Sequence, residues 1–359
     1  MGAGVVVVGG GLAGSAAAWA LSRRGKQVVL LEAFEPGHVN GSSHGSARIF
    51  RRAYPDPLYV QLTGEARALW HELEDEAGEE LIRVTGAIDF GPGPLPRIMY
   101  DLLTEQHVPV ELLRPAQARE RWPGFAFGDD DHIMYHPEGG VIDAGRAVRA
   151  MQRLAAERGA DIRHGTRVTA IAEDGTVRTQ DEELKAETVI VAAGAWTGPL
   201  LRDQLTLPLT VTQVTVFHYR SAAAMDWPTF IYLPGDGTEP VYGLPSGSDA
   251  PGAIKVGVHG MGTVTTGDDR DFKPDPRVRS RAQQVVMMKI PGLVPEPVAV
   301  LTCLYTSTPS EDFILDSRGA IVVASACSGH GAKFAPLTGE LAARLAGGEP
   351  PRHERFTIK

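Results

Sequence analysis

The chain has 359 residues, 43% of them hydrophobic and 22% charged, with a formal net charge of −9. That length exceeds one compact core and predicts two domains, while the acidic balance argues against nucleic acid or an anionic membrane as partner. Two cysteines make no disulfide framework and no apolar run reaches the length of a membrane span, so a soluble cytoplasmic protein is expected.

Residues 5–14, VVVVGGGLAG, run a β-type stretch into Gly9-x-Gly11-x-x-Gly14. The start lacks the basic segment of a signal peptide, and its glycines fall where a phosphate-binding turn needs them. Gly9 permits the tight turn, Gly11 the approach of a pyrophosphate, and Gly14 close packing of helix on strand. The helix predicted over 12–24, closed at Gly25, would turn its free N–H groups and positive dipole end to the phosphates. A second apolar strand, 27–31, ends at Glu32, placed to accept from a ribose diol. Together these predict a dinucleotide site, with NAD, NADP and FAD all open.

The stretch from Gly41 to Arg52, GSSHGSARIFRR, gathers His44, Arg48, Arg51 and Arg52 with no acid nearer than Asp56. A helix beginning after Gly45 would set Arg48 and Arg51 on one face, suited to a phosphate, a carboxylate or a reduced flavin. Arg52 reads better as part of a solvated basic patch. Residues 58–78 repeat apolar positions every three or four, an amphipathic helix. Between 86 and 140 glycine and proline become frequent and periodicity fades, an excursion into another domain. Asp143 caps a helix reaching Arg158, with Gly159 ending it. Short strands follow at 167–172, 176–179 and 188–192, the last ending in small residues as expected beside a cofactor.

Alternating β-type runs over 208–258 suit an antiparallel sheet carrying a substrate site. A helix over 276–290 and a strand over 298–306 come next. The chain closes with a strand (320–325), the turn Gly329-His330-Gly331, a helix (332–346) and a charged, proline-rich tail. The expected architecture is α/β: a Rossmann-like nucleotide-binding domain (1–85, 141–207, 298–359) interleaved with an antiparallel-sheet α+β substrate domain (86–140, 208–297).

Three cations stand in unusual settings. Lys255 and His259, four apart in GAIKVGVHG, would share one face of a strand. A lysine among Ile, Val and Gly is costly to bury unless paired or functional, although an edge-strand gatekeeper is an equal reading. His259 alone reads as a structural histidine. Lys333 sits in the first turn of a helix, against the dipole, which invites an anion or exposure to water. Cys303 and Cys327, taken alone, are small buried hydrophobes.

In order along the chain, GGGLAG with Glu32, SSHGSARIFR, KVGVH, CLYTSTP and SGHGAKF resemble the monomeric sarcosine oxidase / N-methyltryptophan oxidase family of FAD-dependent amine oxidases. The resemblance implies FAD, held by the first motif and joined at its 8α position to Cys303. It implies that Arg51 and Lys333 clamp the substrate carboxylate, that Lys255 is where O2 is reduced, and that Arg48 and His44 flank the flavin ring. His259, Tyr305 and Tyr242 would line the amine pocket, while Ser42, Val168, Gly194, Trp196, Gly329 and Gly331 would contact the cofactor. The implied chemistry is hydride transfer from the carbon next to nitrogen to flavin N5, then release of H2O2. The implied substrate is a secondary amine carrying a carboxylate, taken up by a monomer or weak homo-oligomer that needs no metal. Ala47 departs from the Thr or Ser frequent in that family, and the loop Gly247–Gly252 could reshape the entrance. Rival readings are a flavin amino acid dehydrogenase or glycine or D-amino acid oxidase-like enzyme, an NAD-dependent dehydrogenase, and a non-catalytic FAD-binding subunit.

Overall fold

The computed structural model describes residues 3–359. The strand Ala3–Val8 is central to a parallel layer, between Glu183–Val191 and Val28–Leu31. Asp161–Arg163 extends the layer past Val28–Leu31, and Ile321–Ser325 pairs with Glu183–Val191, both again parallel. Parallel strands are covered on both faces, so their sequences carry no alternation: Val5, Val6, Val7 and Val8 are all buried. The ribbon of Val168–Ile171 with Thr176–Thr179, and the strand Ile314–Arg318, complete this sheet in antiparallel fashion.

The helix Leu12–Arg23 is rich in alanine because it is squeezed from two sides. A Cβ at Gly14 would overlap the Gly9 carbonyl oxygen, and one at Gly339, in the last helix Ala335–Ala346, would lie 2.6 Å from the Ala16 Cβ. Gly9 itself takes φ +103° to make the turn. Since the obstruction at Gly14 is backbone, Gly14→Ala is expected to cost at least about 1–3 kcal/mol of stability. A lowered denaturant midpoint measures it, and an unchanged midpoint would contradict this packing.

The second large sheet starts from the long pair Thr210–Ser221 and Leu293–Ser307. Thr210–Ser221 continues antiparallel into Ala253–Val258, then Val241–Pro245 and Thr229–Tyr232. There Ala87–Gly91 joins in parallel, followed antiparallel by His132–His136 and Glu111–Leu113. The helices Leu95–Glu105 and Pro115–Arg121 also fall in the stretch where periodicity faded. A three-stranded sheet of Arg48–Phe50, Gly140–Ile142 and Ile82–Val84 lies apart from both.

Four expectations need correction. No helix follows Gly45; Arg48–Phe50 is a strand paired with Gly140–Ile142, so Arg48 and Arg51 are not stacked on one helical face. The strand carrying Lys255 stops at Val258, leaving His259 beyond its end. Leu293–Ser307 lies wholly in the second sheet, so residues 298–307 belong with that sheet and not with the nucleotide-binding layer. The last residues are no loose tail: Phe356 is 2% exposed against the core, and Arg355 pairs with Asp56 and Asp312.

Candidate active site

The two layers enclose one cavity of about 1190 Å³, which reaches from the Gly9–Gly11 turn to Lys255 and Lys333. That exceeds the roughly 300–1,000 Å³ of an ordinary small-ligand pocket and leaves room for an extended cofactor with a small substrate. At the turn, Glu32 accepts from the backbone N–H of Gly10 at 2.6 Å and of Phe34 at 3.0 Å. Both carboxylate oxygens are thereby fixed, with lone pairs left for ribose hydroxyls. Ser43 Oγ accepts from Leu12 N at 2.9 Å, and a Cβ on Gly11 would fall 2.9 Å from that oxygen. The cradle has room for backbone only. Val168, Gly194 and Trp196 line the same end, with Trp196 Nε1 donating to Asp268 at 2.9 Å.

Further along, Cys303 meets the segment after Gly41. Its sulfur is 3.8 Å from Arg48 Nη2 and 3.6 Å from the Ser42 carbonyl oxygen. Arg48 is held there by the carbonyls of Ser42 and His44, at 2.8 and 2.7 Å, and Ser42 Oγ donates to Leu304 O at 2.6 Å. Burial pushes the Cys303 thiol up, but His44, Arg48 and Lys255 together outweigh it and bring it down to about 6. Arg48 and Lys255 make the surroundings of this thiol electropositive, which favours the thiolate. His44 Nε2 is buried with no hydrogen-bond partner among the described residues.

Lys255 is 6% exposed, and its Nζ donates to the Ala47 carbonyl at 3.1 Å. Burial first, then Arg48, lower it to about 7. His218 stands opposite it in the register, its Nδ1 2.8 Å from Ser246 Oγ. Burial and Lys255 bring that imidazole down to about 4, so it adds no charge at neutral pH.

At the far end, Arg51 and Lys333 converge over one ring: their charged ends lie 5.2 and 5.4 Å from the centroid of Tyr54. Lys333 sits in the short 3-10 turn Gly331–Phe334 ahead of the last helix. It is 6% exposed, and its Nζ donates to Tyr54 Oη at 2.9 Å and to the His330 carbonyl at 2.8 Å. Burial and then Arg51 lower its pKa well below the ordinary lysine value. Tyr54 Oη also lies 3.0 Å from His330 Nδ1. The Tyr242 and Tyr305 hydroxyls are 3.5 Å apart, and burial raises both phenols above their usual range. Gly329, at φ +72°, lies against the Tyr305 ring, where a Cβ would come within 2.6 Å. His259 stands at the rim with Nε2 3.5 Å from Glu311.

The sequence-predicted residues therefore line one cavity, apart from Gly14, which packs helix on strand beneath it. Sequence reasoning missed Ser43, Tyr54 and Asp89. Ser43 adjoins the predicted Ser42, and only the backbone reveals which serine meets the helix start. Tyr54 follows the arginine cluster by two residues. Asp89, an acid inside the apolar run AIDFG, was a signal in plain view.

The model of the family described as FAD dependent oxidoreductase matches residues 4–345. The chain belongs to that family. Among its relatives, peroxisomal sarcosine oxidase of Homo sapiens is 32% identical, covering 95% of this chain and 91% of that protein. N-methyl-L-tryptophan oxidase of Yersinia pestis (strain Pestoides F) is 33% identical, covering 96% and 95%. Of solved structures, NikD, an unusual amino acid oxidase essential for nikkomycin biosynthesis, superposes with a TM-score of 0.87 at 27% identity over 99% of this chain and 97% of that one. L-proline dehydrogenase from P. horikoshii shares the fold, with a TM-score of 0.84 at 21% identity and coverage of 99% and 97%. No described helix is long and apolar enough to cross a membrane.

Proposed function

We propose that this chain is an FAD-dependent oxidase of a secondary amino acid, N-methylated or cyclic, with O2 as final acceptor. The observation that carries the reading is the pair of cations over Tyr54, in the cavity that also holds the dinucleotide turn, Cys303 and Lys255. Gly9, Gly11 and the start of helix Leu12–Arg23 would hold the FAD pyrophosphate, Glu32 its ribose, and Cys303 its ring through a thioether. Bound FAD would supply the hydride acceptor and hand the electrons to O2, giving H2O2.

The protein's own side chains do the rest. Arg51 and Lys333 hold the carboxylate by charge-assisted hydrogen bonds, which fixes where the amine and its neighbouring carbon lie. Tyr242 and Tyr305, kept neutral by burial, hydrogen-bond and exclude water but do not serve as bases at neutral pH. His259, at the rim beside Glu311, can pass the amine's proton to solvent. Lys255 offers a cation where O2 gathers negative charge. A reducing cytoplasm suits a protein whose two cysteines are free thiols before the cofactor is attached.

Anaerobic mixing with a panel of secondary amino acids, followed by a peroxide assay in air, tests the reading. Bleaching of the flavin by at least one of them with stoichiometric H2O2 is expected, and no bleaching by any would overturn it. The yellow colour should stay with the polypeptide in acid and be released from Cys303→Ala. FAD attachment to the apoprotein would exchange an 8α C–H bond for C–S, releasing a proton and two electrons that O2 would take up. Because the thiolate is the nucleophile, attachment should slow about tenfold per unit as the pH falls below the Cys303 value, which lies at about 6. A pH-independent attachment rate would count against that thiolate.

A further inference from the structure

Asp89 has no part in the chemistry above, yet it sits directly behind the carboxylate clamp. All five residues of its strand, Ala87–Gly91, are buried, and Asp89 is 1% exposed. One oxygen lies 3.0 Å from Arg51 Nη1, while the other is buried with no hydrogen-bond partner among the described residues. Burial pushes this carboxyl up and Arg51 holds it down. A carboxylate in such a place persists only against its counter-charge.

The charged neighbours leave that pairing intact. Arg52 is matched by Glu138 at 3.3 Å. His136, on the adjacent strand, is driven to about 3 by burial and then by Arg51 and Arg52, and so is neutral. Of the two clamp cations, Arg51 is thus already paired. Lys333 meets, among the described residues, only a phenol and a carbonyl.

We infer that Asp89 sets the clamp to a single uncompensated cation, so that the site takes a substrate with one carboxylate and rejects one with a second acidic group beside Arg51. This rests on the reading that Arg51 and Lys333 receive the substrate's carboxylate. With one carboxylate bound against a protonated Lys333, Arg51, Lys333, Asp89 and the ligand sum to zero. A second carboxylate would face Asp89, which is 1% exposed, in a partly buried setting where salt screens less than at the surface. Asp89 acts through Arg51 and is a positioning residue.

Two inert ethers test this by titration calorimetry on the FAD-loaded protein. Methoxyacetate has the shape of sarcosine without an oxidisable amine, and diglycolate adds one carboxylate to it. The wild type should bind methoxyacetate at least about tenfold more tightly, a difference of about 1.4 kcal/mol. Asp89→Asn, close in shape and checked for retained folding and FAD content at the assay temperature, should erase or reverse the preference, and Asp89→Glu should restore it. Asp89→Val, a residue at home in a buried strand, should behave as the Asn variant. Equal affinities in the wild type, or a preference surviving in both neutral variants, would overturn the inference. Methoxyacetate binding that Lys333→Met leaves unchanged would overturn the clamp itself, and the inference with it.

Discussion

Replacing Lys255 by methionine is expected to slow the half-reaction with O2 by about 10²–10³-fold, with reduction by the amine changed far less. Lys255 stands in a strand buried at all six positions, and among the described residues the sole acceptor its Nζ meets is the Ala47 carbonyl. A cation with so little compensation lowers stability, and methionine fills similar volume without that charge. The variant should therefore be at least as stable as the wild type, which separates a functional loss from a folding defect. The pH dependence has a defined sign. Burial and Arg48 lower the group to about 7, so the cation is present below that pH and lost above it. Oxidation by O2 should weaken as the pH rises through this region in the wild type and stay flat in Lys255→Met. Stopped-flow measurement of the two half-reactions separates the steps, and equal losses in both would remove Lys255 from the O2 step.

The parts of this site that the sequence made legible are those where local chemistry suffices. Gly9, Gly11, Gly14 and Glu32 are set by one turn and the next strand end, and their spacing survives any tertiary context. The buried parallel strands read directly from unbroken apolar runs such as VVVV. Where partners lie far away in sequence, the reading failed. Arg48–Phe50 became a strand because Gly140–Ile142, about ninety residues later, supplies the hydrogen bonds; three residues carry no period to betray this. The Lys255 strand stops at Val258 because the chain turns at Gly260, which takes φ +85°. The ends of long strands are similarly hidden: Leu293–Pro297 contains two prolines, yet it continues a ladder that tolerates them at register shifts opposite Tyr219 and Ser221. The C-terminal segment looked like a tail because its anchors are scattered: one aromatic, Phe356, and two arginines, Arg352 on Glu65 and Arg355 on Asp56 and Asp312. Asp89 escaped because its meaning depends on Arg51, thirty-eight residues away.

The clamp supplies the second large expected effect, and its two cations should not behave alike. Lys333→Met removes the cation that has no acidic partner among the described residues, so the folded state loses no ion pair. The lost charge-assisted contact with a carboxylate corresponds to about 2–5 kcal/mol, expected as a fall of about 30- to 4,000-fold in kcat/KM at unchanged stability. Arg51→Met should instead strand the Asp89 carboxylate in the core. Breaking one partner of a buried pair costs about 3–5 kcal/mol of stability, and Asp89, at only 1% exposed, is shielded from bulk solvent. Arg51→Met combined with Asp89→Val should recover most of that loss, since both buried charges are then gone, yet remain impaired toward the amino acid. Denaturation of the single and double variants, beside kcat/KM for the same amine, separates the two roles. If Arg51→Met were as stable as Lys333→Met, Asp89 would not depend on Arg51, and the asymmetry of the clamp would be lost.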